Sequence, residues 1–455
     1  MRPRTPVRAV VVGGGLAGMA AAFRLARETP QVTLFERRPF LGGRAFSFRD
    51  PDSGAIVDNG QHVLVGACRR LRAFLARIGS PSDAFARQPS LGIPILDGAG
   101  RAATLSAARL PAPLHLVPAL LRYRHLGLRD RLAVARDAAA LARLDDRAAL
   151  EDVPLGEWLA RRGVSPRAIE RFWEPLVTPA LNVRVAEANL PLSAFFLERA
   201  LWGGPSEGAL WLPRLGLSEA IGEPARRALE AAGVVVRSGE RVDAIVVQDS
   251  RAVGVSLGGG EVVAADSVVS ALPPRELDAA LPGTHGFDRL GAAPIVNAFL
   301  WYDRAVADRP FAGTFGSPLQ WVFDRERLLG ARRSGGPCLG ISLSAADEWI
   351  DLSKEEIAER LDEAVARVLP RRRGAKLRAS AVVKEPRATF RAGPGCTRSR
   401  PGPRGPFEGL WLAGDWTDTG WPATMEGAVR SGEAAAAAAL SGPSAASVST
   451  RGSGR

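Results

Sequence analysis

Glycine residues with the spacing G-x-G-x-x-G stand close to the start of the chain, at Gly13, Gly15 and Gly18. A valine run precedes them, and a helix-forming stretch from Leu16 to Glu28 and a second apolar strand ending on Glu36 follow them. Gly13 allows a tight turn, Gly15 lets backbone N–H groups approach a pyrophosphate, and Gly18 lets a helix pack closely on a strand. A carboxylate at the position of Glu36 accepts hydrogen bonds from a ribose diol. The whole unit predicts a dinucleotide-binding site.

A second cluster of glycine, acid and tryptophan lies near the end of the chain, in "GLWLAGDWTDTGWPATMEGAVRSGE" from Gly409 to Glu433. An apolar run stops at Gly414 and Asp415, a loop extends from Trp416 to Pro422, and a small-residue helix begins near Thr424. Chain ends usually lose such patterns. Because a helix N-terminus stabilises negative charge, we expect this segment to close the site that the first glycine motif opens.

The composition limits the class of protein. With 455 residues the chain exceeds the size of one hydrophobic core, so we expect two domains or one elaborated domain. The net charge is +12, from 60 basic and 48 acidic residues, but the basic residues are nearly all arginine and are spread along the chain. Scattered charge is typical of a solvated surface. We therefore expect no nucleic-acid partner.

Other sequence features concern location and metal binding. No apolar run reaches the ~18 to 20 residues of a membrane span, and the start "MRPRTPVRAVVVGGG" lacks a signal-peptide cleavage pattern. We therefore expect a cytoplasmic protein. Cys68, Cys338 and Cys396 lack metal-ligand spacing, so we predict neither a metal site nor a disulfide framework.

The segment after the second strand carries a resemblance to a known superfamily. In "RRPFLGGRAFSF", Gly42, Gly43 and Arg44 stand where a cation and flexible backbone can reach a pyrophosphate. Together with the first motif, this segment resembles the FAD-binding signature of the flavin amine oxidase and phytoene desaturase superfamily. The resemblance implies FAD as the cofactor, with "GGR" at its diphosphate and "GQHVL" beside the flavin.

The same resemblance implies roles for the C-terminal segment. The acid of the Gly-Asp pair is expected at the ribityl or pyrophosphate region, the loop beside the isoalloxazine, and the helix N-terminus at the flavin N1–C2=O edge. The backbone of Val242 is expected to contact the adenine. The cofactor-binding residues expected from motif and resemblance are Gly13, Gly15, Leu16, Ala17, Gly18, Glu36, Arg37, Gly43, Arg44, Gly60, Gln61, His62, Val242, Gly414, Asp415, Thr424 and Met425.

The motifs and the resemblance predict an α/β fold with α+β inserts. We expect a Rossmann-like FAD-binding domain of the glutathione-reductase/amine-oxidase type with a discontinuous substrate-binding domain. The FAD-binding pieces are 1–82, 210–285 and 385–440, and the substrate-binding (cap) inserts are 83–209 and 286–384. Residues 441–455 form a polar Gly/Ser tail that we expect to be disordered.

Four segments, "DNGQHVLVGA", "FWEPLVTPALNV", "KEPRATF" and "LAGDWTDTGWPATMEGAVRSG", resemble hydroxysqualene dehydroxylases, also called squalene-associated FAD-dependent desaturases, of bacterial hopanoid pathways. The resemblance spans nearly the whole chain. It implies an apolar isoprenoid substrate and the reduction of hydroxysqualene to squalene, by loss of an allylic hydroxyl and hydride transfer from reduced flavin. The sequence leaves the electron donor open.

Such a reaction needs a proton donor and electron-rich walls that stabilise a cation. His62 and Asp418 are the candidate proton donors, although an Asp beside Thr and Gly is also a common loop cap. Trp421, inside the C-terminal loop, is the candidate cation-stabilising aromatic. Other aromatics that could line the substrate site, or else belong to the core, are Phe172, Trp173, Phe195, Phe196, Trp202 and Trp211.

Three other functions stay open at this point. Carotenoid or phytoene-type desaturases share the FAD segments and a hydrocarbon substrate. Flavin amine oxidases typically carry a lysine near the flavin in the middle of the chain, whereas this chain has no lysine before Lys354 and only two tyrosines. A non-catalytic lipid-binding protein that retains FAD is the third.

Residues 104–150 are helical in period, apolar on one side and arginine-rich on the other. They fit either an ordinary pair of cap-domain helices or a surface that lies in a membrane interface. Because the implied substrate is a long hydrocarbon that resides in the bilayer, we predict a protein that is peripheral to the inner membrane.

Overall fold

The computed structural model of the chain describes residues 8–51, 53–281, 283 and 286–441. The tail predicted for 441–455 lies outside these residues, except for Ser441, which ends the last helix. Helices and sheets are mixed along the described chain, which confirms the predicted α/β class.

The strands are numbered in chain order. The described residues form β1 (Arg8–Val12), β2 (Gln31–Glu36), β3 (Ser47–Arg49), β4 (Ile56–Asp58), β5 (Leu64–Val65), β6 (Phe85–Arg87), β7 (Gly92–Leu96), β8 (Ala102–Ser106), β9 (Leu210–Pro213), β10 (Val235–Ser238), β11 (Val242–Gln248), β12 (Arg251–Leu257), β13 (Val262–Ala264), β14 (Ser267–Ser270), β15 (Ala293–Tyr302), β16 (Phe311–Thr314), β17 (Trp321–Asp324), β18 (Cys338–Ser344), β19 (Leu377–Thr389) and β20 (Leu410–Leu412).

The α-helices are numbered in the same way. They are α1 (Leu16–Leu25), α2 (Arg69–Arg77), α3 (Val117–Arg122), α4 (Leu128–Ala142), α5 (Leu155–Arg161), α6 (Pro166–Ala168), α7 (Glu174–Leu181), α8 (Leu190–Leu197), α9 (Glu223–Ala231), α10 (Pro274–Ala280), α11 (Arg325–Leu329), α12 (Ala331–Ser334), α13 (Lys354–Val368) and α14 (Met425–Ser441).

The first large sheet has five parallel strands in the order β10-β2-β1-β14-β20. Its strand β1 is a run of buried apolar residues, typical of a parallel strand that is covered on both faces. Helices α1 and α14 pack on this sheet and on each other. A Cβ added to Gly432 would lie 2.0 Å from the Ala17 carbonyl oxygen, so only glycine permits this approach. The arrangement brings the N-termini of α1 and α14 to the carboxyl edge of the sheet.

The second large sheet has seven strands in the order β19-β15-β18-β17-β16-β7-β8. Side chains alternate along β15. Val296, Ala298 and Leu300 pack in one core with residues of α13, whereas Ile295 and Asn297 line a cavity on the other side. The two-residue period of this strand therefore builds one wall of the site.

The predicted domain pieces remain a prediction. The parallel sheet takes its strands from within 8–36, 235–270 and 410–412, and the seven-stranded sheet from within 92–106 and 293–389. Strand β19 continues past the predicted boundary at 385 because it pairs with β15 along most of its length.

Candidate active site

A cavity of about 580 Å³ is enclosed by the carboxyl edge of the parallel sheet, the seven-stranded sheet and helices α7 and α8. Most of the residues predicted for the site line this one cavity. They are Gly13, Gly15, Leu16, Ala17, Glu36, Arg37, Gly43, Arg44, Gly60, Gln61, His62, Val242, Gly414, Asp415, Trp421, Thr424 and Met425. Gly18 and Asp418 are absent from the lining formed by the described residues.

The first glycine motif forms a tight turn between β1 and α1. Gly13 has a φ of 106°, a backbone conformation that favours glycine, and its N–H donates to the Phe35 carbonyl oxygen at 2.8 Å. A Cβ on Gly18 would lie 1.8 Å from the Gly13 carbonyl oxygen. Gly18 therefore lies behind the turn and allows the helix to pack on the strand. Gly15 is the N-cap of α1 and lines the cavity.

Glu36 ends β2 beside this turn and is buried. Its Oε2 accepts a hydrogen bond from the Gly14 N–H at 2.7 Å, and its Oε1 accepts one from the Arg38 N–H at 2.9 Å. Each carboxylate oxygen keeps a further lone pair. The acid can therefore also accept hydrogen bonds from a ribose diol in the cavity.

The first and last motifs of the chain meet at an ion pair on the cavity wall. Arg44 Nη2 donates to Asp415 Oδ1 at 2.7 Å, and Arg44 Nη1 donates to the Ala388 carbonyl oxygen. The negative charge of Asp415 raises the pKa of Arg44. The cavity thus has a permanent cation beside the glycine turn, and this donor set fits the diphosphate of FAD.

The loop that follows Asp415 is held from behind. The buried Arg400 donates Nη2 to the Asp415 carbonyl oxygen and Nε to the Trp416 carbonyl oxygen, both at 3.3 Å, and it also donates to the Thr417 carbonyl oxygen. At the other end of the loop, Thr424 Oγ1 accepts from the Gly427 N–H at 3.1 Å. These contacts hold the N-terminus of α14 against the cavity, where its partial positive charge stabilises an anion.

His62 lies in the turn that follows β4 and lines the cavity. Its Nδ1 lies 2.8 Å from the Gly60 carbonyl oxygen. A carbonyl oxygen only accepts, so Nδ1 carries the proton and Nε2 is the acceptor in the neutral ring. Burial lowers the pKa of His62 below its usual value of 6.5. At neutral pH the imidazole is therefore mostly uncharged.

The proton-donor role of Asp418 stays a prediction, but the structure places this side chain outside the cavity lining of the described residues. Asp418 is exposed, and its Oδ1 accepts a hydrogen bond from the Gly420 N–H at 3.1 Å. Its own N–H donates to the Pro401 carbonyl oxygen, which holds this part of the loop on the outside of the protein. Asp418 is the loop cap that its Thr and Gly neighbours also indicated.

The aromatic lining differs from the predicted set. Phe196 and Trp421 line the cavity, whereas the fully buried Trp173 belongs to the core. The other predicted aromatics outside the lining of the described residues are Phe172, Phe195, Trp202 and Trp211. Sequence reasoning missed Trp321 and Phe323, which line the cavity from β17. Their two-residue spacing was the available signal, because alternate residues of a strand share one face.

The three cysteines are buried and free. Burial raises the pKa of each thiol to about 12, so none is a nucleophile at neutral pH. Among the described residues, no cluster of His, Cys, Asp and Glu could hold a metal ion.

Comparison with known proteins agrees with this site. The chain matches the family described as flavin containing amine oxidoreductase over residues 16–440. A hydroxysqualene dehydroxylase from Rhodopseudomonas palustris is 30% identical over 444 residues, which cover 94% of this chain and 96% of that protein. A 15-cis-phytoene desaturase from an Oncidium hybrid cultivar is 27% identical over 460 residues, which cover 96% of this chain and 78% of that protein.

Among solved structures, an oxidoreductase from Methanosarcina mazei has the same fold. The TM-score is 0.72 at 17% sequence identity, over 94% of this chain and 99% of that chain. The family match and the full-length relatives confirm the resemblance that the motifs carry. The chain belongs to the flavin containing amine oxidoreductase family and is an FAD-dependent oxidoreductase.

Proposed function

We propose that this enzyme removes the allylic hydroxyl of hydroxysqualene and yields squalene. One observation carries the proposal: the FAD site opens into an apolar chamber within the same cavity, in a chain whose full-length relatives include hydroxysqualene dehydroxylases. The apolar side chains of this chamber include Leu91, Ile93, Leu176, Leu197 and Leu201. A chamber of this kind suits a long isoprenoid chain.

The chemistry defines what the protein must do. Protonation of the hydroxyl lets it leave as water, which breaks the C–O bond and leaves an allylic cation. Reduced FAD would supply the hydride that forms the new C–H bond at the carbon that lost its hydroxyl. The chain's own residues must exclude water, deliver the proton and stabilise the cation. Trp321 and Trp421 line the cavity, and aromatic faces attract a positive charge.

His62 is the proton carrier in this proposal. Gly60 fixes the ring through Nδ1, so Nε2 is the nitrogen that exchanges a proton. In the imidazolium form, Nε2–H donates to the substrate hydroxyl. Because burial lowers the pKa of His62, the imidazolium is a stronger acid than free histidine, although it is less populated at neutral pH.

Amine oxidation is disfavoured by the positions of the lysines. Lys354, Lys376 and Lys384 are all outside the cavity lining formed by the described residues. Lys384 Nζ instead donates to the Leu352 carbonyl oxygen. The cavity therefore lacks the lysine that flavin amine oxidases typically place near the flavin.

A phytoene-type desaturase is the second candidate. The observation that favours it is the similarity to 15-cis-phytoene desaturases along 96% of this chain. The two candidates differ in the direction of electron flow, since a desaturase transfers hydride from the substrate to oxidised FAD.

The direct test is to incubate the purified holoenzyme with hydroxysqualene and chemically reduced FAD, and to identify the products by mass spectrometry. We expect squalene. In the matched reaction, oxidised holoenzyme is given squalene or phytoene, and we expect no change. A more unsaturated product in the second reaction, with hydroxysqualene untouched in the first, would establish the desaturase instead.

We further propose that the enzyme attaches to the membrane surface. Six large apolar side chains are exposed within 23 residues: Leu110, Leu114, Val117, Leu121, Leu128 and Leu132. Exposed arginines at 109, 122, 124 and 129 flank them. Among the described residues, no helix has both the length and the hydropathy to cross a bilayer. An exposed apolar patch with cations around it suits the interface of an anionic membrane.

A contact links this exposed patch to the chamber. His115 lies within the patch segment but is buried, and its Nε2 donates to the Leu201 carbonyl oxygen at 2.9 Å. Leu201 lines the cavity. The patch segment therefore contacts a residue of the cavity wall, which supports substrate uptake from the membrane.

A further inference from the structure

Three polar side chains stand together on the cavity wall formed by the seven-stranded sheet and the His62 turn. They are Gln61, Asn297 and Ser342, and we call them the amide patch. Asn297 on β15 is the register partner of Ser342 on β18, so both side chains project from the same face of the sheet. Their neighbours on this face include Ile295, Trp321 and Phe323, so the amide patch is a small polar surface surrounded by apolar side chains.

The orientation of the Gln61 carboxamide is fixed by an arginine. Arg325 Nη1 lies 3.4 Å from Gln61 Oε1. Because a guanidinium has donors only, the atom that faces it must be the oxygen, and Gln61 Nε2 must point away. Within the described part of the chain, Gln61 Nε2 has no hydrogen-bond partner.

Asn297 is oriented in the same way. Its Oδ1 accepts a hydrogen bond from the Gln61 N–H at 3.3 Å, so Nδ2 is the free donor. Neither Asn297 Nδ2 nor Ser342 Oγ has a hydrogen-bond partner among residues 8–51, 53–281, 283 and 286–441. A Cβ added to Gly60 would lie 3.1 Å from Asn297 Nδ2, so the glycine leaves room for this amide.

Arg325 is itself fixed by a buried network. Arg325 and Asp58 are each 1% exposed, and Arg325 Nη1 lies 3.5 Å from Asp58 Oδ2. Arg325 Nη2 donates to the Ile56 carbonyl oxygen at 2.8 Å, and the guanidinium lies 4.7 Å from the centroid of the Phe299 ring. Breaking a buried pair by removing one partner is strongly unfavourable. The network therefore holds the Gln61 amide in one orientation.

We infer that the amide patch binds an alcohol and selects a hydroxylated isoprenoid over the corresponding hydrocarbon. Free N–H donors on an apolar wall are left unpaired by a hydrocarbon, whereas the oxygen of an alcohol accepts from Gln61 or Asn297 and keeps its second lone pair for the proton of His62. The alcohol's own proton can be donated to Ser342 Oγ. A site built to hydrogen-bond a hydroxyl rejects an analogue that lacks it. This inference rests on the proposed function and names the groups that recognise its substrate.

The test measures binding without turnover. Oxidised holoenzyme cannot donate a hydride, so it is titrated in detergent with hydroxysqualene or with squalene, and the shift of the flavin absorbance is followed. We expect hydroxysqualene to bind at least about tenfold more tightly, from two or three hydrogen bonds of ordinary strength. The Gln61→Met/Asn297→Leu variant is compared at equal FAD content, because Gln61 is also a predicted cofactor-binding residue. We expect its preference to fall to within about twofold, with squalene affinity retained.

Two further variants separate recognition from general damage. Gln88→Met is the matched control, because the Gln88 amide bonds to Gly92 and Leu210 but lies outside the cavity lining of the described residues. It should keep the full preference. Arg325 lies outside the cavity lining of the described residues, so Arg325→Met should reduce the preference indirectly, and it should also lower the melting temperature because it leaves Asp58 unpaired. Arg325→Lys should restore part of both, and the folded fraction of each variant should keep its FAD.

The outcomes separate this inference from the proposed function. Equal affinity of the native enzyme for the two ligands, together with turnover of hydroxysqualene, would overturn the amide patch alone. A preference that survives in the double variant, or in Ser342→Ala combined with either single variant, would do the same. Failure of the native enzyme both to bind and to convert hydroxysqualene would overturn the proposed function and the patch together.

Discussion

Arg44 joins the two ends of the chain at the FAD site. Its Nη2 pairs with Asp415 Oδ1 at 2.7 Å, 371 residues away in sequence. Each motif suggested its half of the pair, because a cation after "GG" and an acid after a strand are both typical of a dinucleotide site. Their direct contact was not predictable, since no local pattern determines which distant residues meet.

We expect Arg44→Met to weaken FAD affinity by about 10- to 100-fold, because the change removes a charged donor and leaves Asp415 unpaired. The measurement is the dissociation constant for FAD, from titration of the apoprotein with the loss of flavin fluorescence as signal. Arg8→Met is the matched control, since the Arg8–Asp266 pair is partly exposed and far from the cavity lining. Unchanged FAD affinity in Arg44→Met would contradict the role assigned to this arginine.

The proposed role of His62 as proton donor gives the reaction a pH dependence with a defined sign. Burial lowers the pKa of His62 below 6.5, so the proton-donating form predominates only below that lowered pKa and declines as the pH rises above it. The single-turnover rate of reduced holoenzyme should be highest at low pH and fall as the pH rises through the lowered pKa. His62→Ala should be slow at every pH and lose this limb of the profile.

The matched control for His62 is His115→Gln. His115 is also buried with a lowered pKa, but it lies outside the cavity lining of the described residues. Its variant should keep the native pH profile. A rate that is constant from about pH 5 to pH 8 in the native enzyme would count against a histidine donor.

The sequence was sufficient to predict residues whose structural role involves residues close to them in the chain or in the adjacent strand. Gly13 and Gly18 act on the turn that contains them, and Glu36 lies at the end of the adjacent strand. Sequence reasoning could not show the outward position of Asp418, which depends on a hydrogen bond to Pro401. It also missed Arg325, which contacts Gln61 in the His62 turn from 264 residues away.

At the scale of elements, the sequence predicts the strand-turn-helix units but does not predict the residues at which each element ends. The first helix was predicted to reach Glu28 but ends at Leu25, and the chain then forms turns before Pro30. Pro30 disfavours helical backbone at Thr29, which prevents a helix from continuing beyond Glu28 but does not account for the end at Leu25. The strand β17 was not recognised as a wall of the site because four residues carry too short a pattern.

The packing of α14 on α1 gives a prediction at this scale. Gly432→Val should lower the free energy of unfolding by about 3 kcal/mol or more, because its Cβ would overlap the Ala17 carbonyl oxygen. Ala434→Val, on an exposed position of the same helix, should cost less than about 1 kcal/mol. Thermal unfolding of both holoenzymes measures the difference. Equal melting temperatures would show that α14 does not pack this closely.

At the scale of the whole molecule, the cavity joins three kinds of surface. The parallel sheet supplies the glycine turn predicted to bind FAD, the seven-stranded sheet supplies the wall with the amide patch, and helices α7 and α8 supply apolar side chains. The motifs predicted the first of these, because phosphate binding uses a recognisable spacing. The seven-stranded sheet wall and the apolar side chains of α7 and α8 consist of residue types that occur throughout the chain. Only the tertiary fold brings these particular residues together.

Membrane attachment belongs to this scale too. Flotation with anionic liposomes should be strong at low salt and weaker at high salt, since arginines around the exposed leucines are attracted by about 1 kcal/mol each. Replacing Leu114, Leu121, Leu128 and Leu132 with serine should abolish it. Val235→Ser with Val262→Ser is the matched control, because these valines are equally exposed but lie elsewhere. Native protein that stays unbound at low salt would exclude the proposal.

The central claim is that hydride passes from reduced FAD to the carbon of hydroxysqualene that loses its hydroxyl. The most direct measurement is a single turnover in D2O, where N5 of the reduced FAD carries deuterium, followed by mass spectrometry and NMR of the product. If hydride comes from reduced FAD, the product is squalene with one deuterium at the former carbinol carbon. Unlabelled squalene, or hydroxysqualene recovered unchanged while phytoene is desaturated by oxidised enzyme, would contradict it.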